Sequence, residues 1–332
     1  ATLRLTLTAS LLLLSLSLST ASPSSSPPSP SQASSSPPSP AAIRSPFEQA
    51  LDTEQRHSKD LMLYVHDTSN REWITSDDGT RFLSLYQADQ TGDDRGLVVL
   101  LPGLQQHPAS SQILNTFRLQ LPQQGWSTLS VSLPNDPDLI EGSLAAQQQQ
   151  QQSDQQSDTA STVTPTPEQD ATLEVPPFPS LTVLLEHFTA RLRATANKIQ
   201  EKNAQSVHIV AFDISALWLF ESLDAGLSIP NLQAIVMIDG FQPSTYTHIN
   251  LIKASINSSY ALFDIAHKHP QAIYQSHLRA IRAKQKDRQH YRHFVMRNRG
   301  FIRSDETQID QGRLVNIVQS WLRNNQTNQQ NE

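Results

Sequence analysis

The sequence has 332 residues, a formal net charge of -6 and no cysteine. The lack of cysteine excludes disulfides, thiolate nucleophiles and cysteine-ligated metal sites. No run of lysine and arginine is long enough to neutralise a row of phosphates, so the charge pattern argues against nucleic-acid binding. Once the low-complexity segments are subtracted, the length favours one large domain.

The first 21 residues have the pattern of a secretory signal peptide. Arg4 precedes an apolar run over residues 5–18, which ends in the small residues Ser19-Thr20-Ala21. Signal peptidases act on short apolar runs of this kind, and this run is short and rich in hydroxyl groups for a membrane span. The sequence therefore predicts an exported protein, periplasmic or secreted, with no membrane span in its mature chain. An uncleaved membrane anchor is the alternative.

Low-complexity segments surround and interrupt the predicted domain. Residues 22–46 are mostly serine and proline and predict a disordered spacer, because they cannot bury enough apolar surface to offset the entropy of ordering. Residues 145–172 are rich in glutamine and predict a disordered surface insertion, since the cost of loop closure grows slowly with length. The folded domain is expected over residues 47–324, with a disordered tail over 325–332.

Strand and helix patterns alternate along the domain. Residues 72–76 and 81–86 flank the turn sequence Asp77-Asp78-Gly79-Thr80 and predict an antiparallel hairpin. Residues 97–101 form a continuous apolar run, typical of a strand buried on both faces of a parallel sheet. Further strands are predicted at 126–133, 207–212, 235–238, 260–263 and 291–296. Amphipathic helices are predicted at 113–124, 181–199, 217–227, 275–288 and 308–322.

This alternation predicts an α/β fold with a doubly wound, mostly parallel sheet, an N-terminal antiparallel hairpin and helices on both faces. The working site of such a sheet lies at the carboxyl ends of its strands. Two of those ends stand out. Residues 97–101 run into Pro102-Gly103-Leu104, where the glycine permits a sharp turn, and residues 207–212 run into a strand-to-helix corner at Asp213-Ile214-Ser215-Ala216.

Four segments in this order resemble the α/β-hydrolase superfamily: Leu100-Leu101-Pro102-Gly103, Gly125-Trp126-Ser127-Thr128-Leu129-Ser130, Val210-Ala211-Phe212-Asp213 and Leu262-Phe263-Asp264. The chain is most similar to an exported bacterial α/β-hydrolase-like family of unknown function. The resemblance covers about residues 72–321 without the glutamine-rich insertion, and it implies a fold and an ancestry rather than an activity.

The resemblance also implies roles for particular residues. Active superfamily members carry a serine nucleophile in a tight elbow flanked by small residues. The matching position here is Asp213, and Ser215 stands where a glycine is usual. The main-chain amides of Leu104 and Ile214 match the oxyanion donors, and Asp264 matches the acid that orients the catalytic histidine. Some members use an aspartate nucleophile, which forms a covalent ester intermediate.

The histidine that this chemistry requires is missing from its expected place. The superfamily has it in the loop after the last strand, and residues 296–332 contain no histidine. His107, four residues beyond Gly103, is a candidate substitute base, although a loop histidine needs no function. His267 and His269 follow Asp264 closely and are the other candidate substitutes, although exposed histidines beside Pro270 need no function. Their loose spacing does not predict a metal site. No metal or cofactor is predicted.

Three hypotheses remain open. The first is a non-catalytic binding or envelope-associated module whose partner is an unknown small molecule or an envelope protein. The second is an ester or acyl hydrolase that uses Asp213 or Ser215 with an unusual base such as His107. The third is an interaction protein in which the glutamine-rich insertion and the Ser/Pro spacer matter more than the folded domain.

Overall fold

The computed structural model describes residues 46–65, 70–103, 106–110, 112–134, 179–243, 246, 250–267, 269–296 and 304–330. All of these belong to one unit, residues 44–332. The predicted signal peptide, the Ser/Pro spacer before residue 46, the glutamine-rich insertion and Leu104 lie outside the described residues.

Within these ranges, eight strands form one sheet with the order β1-β2-β4-β3-β5-β6-β7-β8. The strands are β1 Asn70–Thr75, β2 Arg81–Gln87, β3 Leu97–Leu101, β4 Ser127–Val131, β5 Val207–Phe212, β6 Leu232–Ile238, β7 Ala261–Ala266 and β8 Tyr291–Val295. β2 pairs antiparallel with β1 and β4, and the other neighbours pair in parallel. The predicted mostly parallel sheet with an antiparallel N-terminal hairpin is confirmed.

Helices cover both faces of the sheet. They are α1 Pro46–Tyr64, α2 Gln112–Gln120, α3 Pro179–Glu201, α4 Ser215–Asp224, α5 Leu251–Asn257, α6 Pro270–Gln285 and α7 Ser304–Gln330, with a 3-10 turn at Pro122–Gln124. Successive residues of β3 alternate between two buried clusters: Val99 packs with residues of α3, α4 and α5, whereas Val98 packs with residues of α2 and α7. This alternation follows from the two-residue period of a strand.

Helix α1 was not predicted, because it docks through a charged residue rather than through a clear apolar stripe. Glu54 is buried and faces Arg191 of α3, whose two terminal nitrogens donate to the carboxylate over 2.7 and 2.8 Å. Such a pair depends on the partner's position in space, so the sequence of α1 alone does not reveal it. The short helix α5 was also not predicted. Its seven residues begin after Asn250, whose side chain accepts the Lys253 main-chain N–H.

The last helix differs from its prediction at the C-terminal end. The predicted helix stops at Leu322 and a disordered tail follows from residue 325, whereas α7 continues to Gln330. Gln326 explains part of the difference, because its side-chain amide donates to the main-chain oxygen of Arg95 over 2.5 Å and to the hydroxyl of Ser206 over 3.1 Å. Polar contacts of this kind leave no apolar periodicity in the sequence. None of the described helices has the length and apolarity that a membrane crossing requires.

Candidate functional site

Asp213 occupies the sharp corner between β5 and α4. Its φ is 53°, in the left-handed region that aspartate tolerates better than most residues other than glycine. Main-chain hydrogen bonds fix the corner: the Asp213 N–H donates to Ile238 over 3.0 Å, and its carbonyl accepts from Ala216 over 3.4 Å. The structure therefore places Asp213 at the carboxyl end of a central strand, with its side chain partly exposed.

The Asp213 carboxylate packs against the loop that follows β3. A β-carbon built on Gly103 would lie 2.2 Å from the Oδ2 atom of Asp213, so only a glycine leaves room for the carboxylate in this position. The Gly103 N–H itself donates to the side-chain oxygen of Gln106 over 3.2 Å. The negative charge thus lies on the loop from which superfamily members offer an oxyanion donor.

Of the two predicted oxyanion donors, only Ile214 is among the described residues. The Ile214 N–H, at the start of α4, donates to no residue in the described part of the chain. An unpaired amide at a helix N-terminus favours a negative atom nearby.

The electrostatic environment of Asp213 disfavours its charged form. Burial, followed by the negative charge of Asp239, raises the pKa of Asp213 to about 6. Within the described residues the Asp213 carboxylate accepts no hydrogen bond and forms no ion pair. A fraction of the molecules therefore carries a protonated, hydrogen-bond-donating Asp213 near neutral pH.

Asp239 and His267 occupy the equivalent ends of the next two strands, β6 and β7. Both are buried. The Oδ1 atom of Asp239 accepts the His267 main-chain N–H over 2.5 Å, and its Oδ2 atom lies 3.8 Å from the Nδ1 atom of that ring. Asp239 also has a left-handed φ, 52°. Asp239 was not predicted as a site residue, although its place directly after a strand beside β5 is the signal that could have found it.

The sequence predicted a strand that ends at Phe263, with Asp264 after it. The structure instead places Asp264 inside β7. It is fully buried, and both of its carboxylate oxygens have partners. Arg279 of α6 donates to them over 2.7 and 3.0 Å, and the Tyr291 hydroxyl donates over 2.7 Å. Burial, with the charge of Asp264 next, raises the pKa of Tyr291 far above its usual value, so the hydroxyl remains a donor. Asp264 is thus committed to a guanidinium and a phenol rather than to an imidazole.

Ser215 is also engaged elsewhere. Its side chain is buried in the first turn of α4, and the hydroxyl donates to the main-chain oxygens of Phe212 over 2.7 Å and of Leu101 over 3.2 Å. These contacts join the corner to the end of β3. A buried hydroxyl held in this way has no open face toward a substrate.

The histidines proposed from the sequence have local partners. The Nδ1 atom of His107 accepts the Ala109 N–H over 3.2 Å, which assigns the proton of the neutral ring to Nε2. Burial lowers the pKa of His107, and the nearby His57 lowers it further. His269 stacks on Phe241, with ring centroids 4.8 Å apart. No group of three metal-ligating side chains occurs within the described ranges.

An eight-stranded sheet of this order, with a left-handed strand-to-helix corner after β5, defines an α/β-hydrolase fold. The chain belongs to the family described as Protein of unknown function (DUF3530), whose sequence pattern matches residues 3–324. No curated protein matches the sequence.

Solved structures share the same fold. A dienelactone hydrolase from Anabaena variabilis is 10% identical, with a TM-score of 0.50, over 77% of this chain and 97% of that chain. An esterase from Pyrococcus furiosus is 11% identical, with a TM-score of 0.50, over 80% of this chain and 94% of that chain. At these identities the likeness concerns the fold alone.

Proposed function

We propose that this protein is an exported, non-catalytic binding module with an α/β-hydrolase fold, which contacts a small molecule or an envelope protein through the strand ends around Asp213. The observation that carries the proposal is the Asp213 carboxylate itself, which stands at the nucleophile corner and, within the described ranges, forms no hydrogen bond or ion pair with an imidazole. The signal-like residues 1–21 support export.

The neighbouring positions support a non-catalytic role for physical reasons. A serine nucleophile needs a free hydroxyl and a base, and the Ser215 hydroxyl is bound to main-chain oxygens. The acid that would orient a histidine, Asp264, is paired with Arg279. An oxyanion that formed beside Gly103 would lie next to the Asp213 carboxylate, and this repulsion opposes acyl transfer.

The same geometry suggests the kind of ligand that fits. A partly exposed carboxylate that has a raised pKa and, in the part of the chain that the structure describes, no ion-pair partner gains most from a ligand that brings a positive charge or hydrogen-bond donors. An ammonium or guanidinium group near Asp213 would also relieve its repulsion from Asp239. We therefore propose that the ligand presents such a group to the end of β5.

An esterase assay tests the non-catalytic role. We expect the chain without residues 1–21 to hydrolyse p-nitrophenyl acetate and butyrate no faster than buffer. Turnover that disappears in Asp213→Asn, but persists in the surface control Asp60→Asn, would overturn the proposal. Asparagine tolerates the left-handed φ of the corner, so a loss in the Asp213 variant would not reflect a broken backbone.

Ligand binding is tested separately by thermal stability. A panel of small alkylammonium and alkylguanidinium salts is expected to contain compounds that raise the Tm of the wild type and leave that of Asp213→Asn unchanged. Equal shifts in both proteins would show that the ligand does not contact Asp213.

A second candidate is hydrolysis of esters or acyl groups with Asp213 as nucleophile and His107 as base. The strained φ of 53° at Asp213 favours it, because this is the conformation that a nucleophile elbow requires. The lowered pKa of His107 keeps its ring neutral, as a base must be. This hypothesis predicts that the His107→Gln variant accumulates a covalent adduct on the peptide containing Asp213, which mass spectrometry would detect. Ser215→Ala tests the alternative in which Ser215, rather than Asp213, is the nucleophile.

A further inference from the structure

Helix α6 and strand β8 form a positive region on a negatively charged chain. Residues 270–296 hold six of the 25 lysine and arginine residues and only one, Asp287, of the 31 acidic residues. Arg279 forms an ion pair with Asp264 in the core, and Arg288 is half-buried and donates to main-chain oxygens. The four remaining basic side chains are exposed: Arg282, Lys284, Lys286 and Arg292.

Two large apolar side chains share the outer side of α6 with these charges. Tyr274 is 65% exposed and Ile281 is 55% exposed. They are seven residues apart, which places them two turns apart on one side of the helix. The opposite side of α6 is buried at Ala272, Ser276, Arg279 and Ala283. The apolar pair therefore faces away from the core.

Two of the basic residues lie beside Ile281 on the helix surface, and a third lies at the end of α6. Arg282 lies on one side of Ile281 and Lys284 on the other. Lys286 is the C-terminal cap residue of α6. Long basic side chains can lay their aliphatic stems along apolar surface and bring their charged ends to an anionic layer. A tyrosine has the same mixed character and suits the boundary between water and lipid.

We propose that this surface, named here the basic face of α6 and defined by Tyr274, Ile281, Arg282, Lys284 and Lys286, docks the protein on an anionic phospholipid bilayer. A bilayer surface offers diffuse negative charge and, just below it, apolar material, so it complements both kinds of side chain. A purely acidic protein surface would match the cations but would need an apolar patch of its own to cover Tyr274 and Ile281.

Vesicle sedimentation tests the proposal with the chain lacking residues 1–21, since the apolar run over residues 5–18 would bind lipid by itself. We expect the protein to sediment with phosphatidylcholine vesicles that contain about one third phosphatidylglycerol, and not with pure phosphatidylcholine. The binding is expected to weaken as salt is raised, because screening shortens the reach of the charges.

Matched variants separate a local surface from net charge. Arg282→Gln/Lys284→Gln/Lys286→Gln should weaken binding by at least about tenfold, since each basic residue near an anionic surface contributes severalfold. Lys59→Gln/Arg193→Gln/Lys253→Gln removes the same charge from exposed positions elsewhere and should bind like the wild type. Tyr274→Ser/Ile281→Ser keeps every charge and should also weaken binding.

Each other outcome counts against the proposal. Absence of wild-type binding to anionic vesicles, or equal binding to neutral vesicles, overturns it, as would capture of an acidic protein by a chain that ignores lipid. Equal losses in the two triple variants would reveal a net-charge effect instead of a docking surface. Unchanged Tm values confirm that each variant is folded, and none of these positions belongs to the strand ends around Asp213.

Discussion

The Oδ2 atom of Asp213 lies so close to Gly103 that a β-carbon on the glycine would be 2.2 Å away. The two residues follow adjacent parallel strands, β5 and β3, so the sheet itself brings them together. The glycine leaves space for a carboxylate at the corner, and the carboxylate in turn fills that space. Substitutions at either residue should therefore be coupled.

We expect Gly103→Ala to lower the free energy of unfolding by about 1 kcal/mol, because the new methyl group must displace the Asp213 carboxylate by rotation about its side-chain bonds. In an Asp213→Gly background the same change should cost much less, since the clashing atom is gone. Urea denaturation of the four proteins measures this coupling. Gly312→Ala, in an open position of α7, is the control and should stabilise slightly. Equal costs of Gly103→Ala in both backgrounds would contradict the contact.

The raised pKa of Asp213 predicts a pH dependence of stability. Its pKa rises from 3.8 to about 6 on folding, so between these values the folded protein binds more protons than the unfolded chain. The free energy of unfolding therefore falls as pH rises through this window. After allowance for the partial exposure of Asp213, Asp213→Asn should be more stable than the wild type by about 1 to 3 kcal/mol at neutral pH. Near pH 4 the two proteins should be equally stable. Denaturation at both pH values tests this, and a variant with the wild-type pH slope would refute it.

The buried group of Asp264, Arg279 and Tyr291 should behave as one unit. Asp264→Leu and Arg279→Met each leave an uncompensated charged group in the core and should each cost about 3 to 5 kcal/mol. Tyr291→Phe removes one charge-assisted hydrogen bond and should cost about 1 to 3 kcal/mol. The double variant Asp264→Leu/Arg279→Met should lose less than the sum of its single changes. Chemical denaturation measures all four, and additive losses would show that the residues act independently.

The ion pair between Glu54 and Arg191 predicts how α1 is held. Glu54→Gln leaves the Arg191 guanidinium buried with a weaker partner, so we expect a loss of about 3 kcal/mol and faster amide hydrogen exchange in α1. Asp60→Asn, on the exposed side of the same helix, should change neither quantity. Similar exchange rates in the wild type and the Glu54 variant would indicate that α1 docks through other contacts.

Sequence periodicity alone located most of the fold. The apolar run of β3 and the turn chemistry between β1 and β2 predicted a buried parallel strand and a hairpin, and both are present. Local composition determines these features, because burial on two faces or a tight turn limits which residues can occupy each position. For the same reason the strand-to-helix corner at Asp213 could be placed without coordinates.

The polar side-chain pairs could not be predicted from local composition, since each pair links residues that are distant in sequence. The sequence pointed to Asp264 as an orienting acid, and only the packing of α6 against β7 shows that Arg279 neutralises it. Glu54 and Gln326 likewise gained their roles from partners more than a hundred residues away. A side chain's residue type determined what it can donate or accept, and the tertiary structure decided which group it meets. The sequence by itself therefore determined the scaffold and the carboxylate at its corner, whereas the burial of Asp213 beside Asp239, which sets its charge, depended on how the strands assemble.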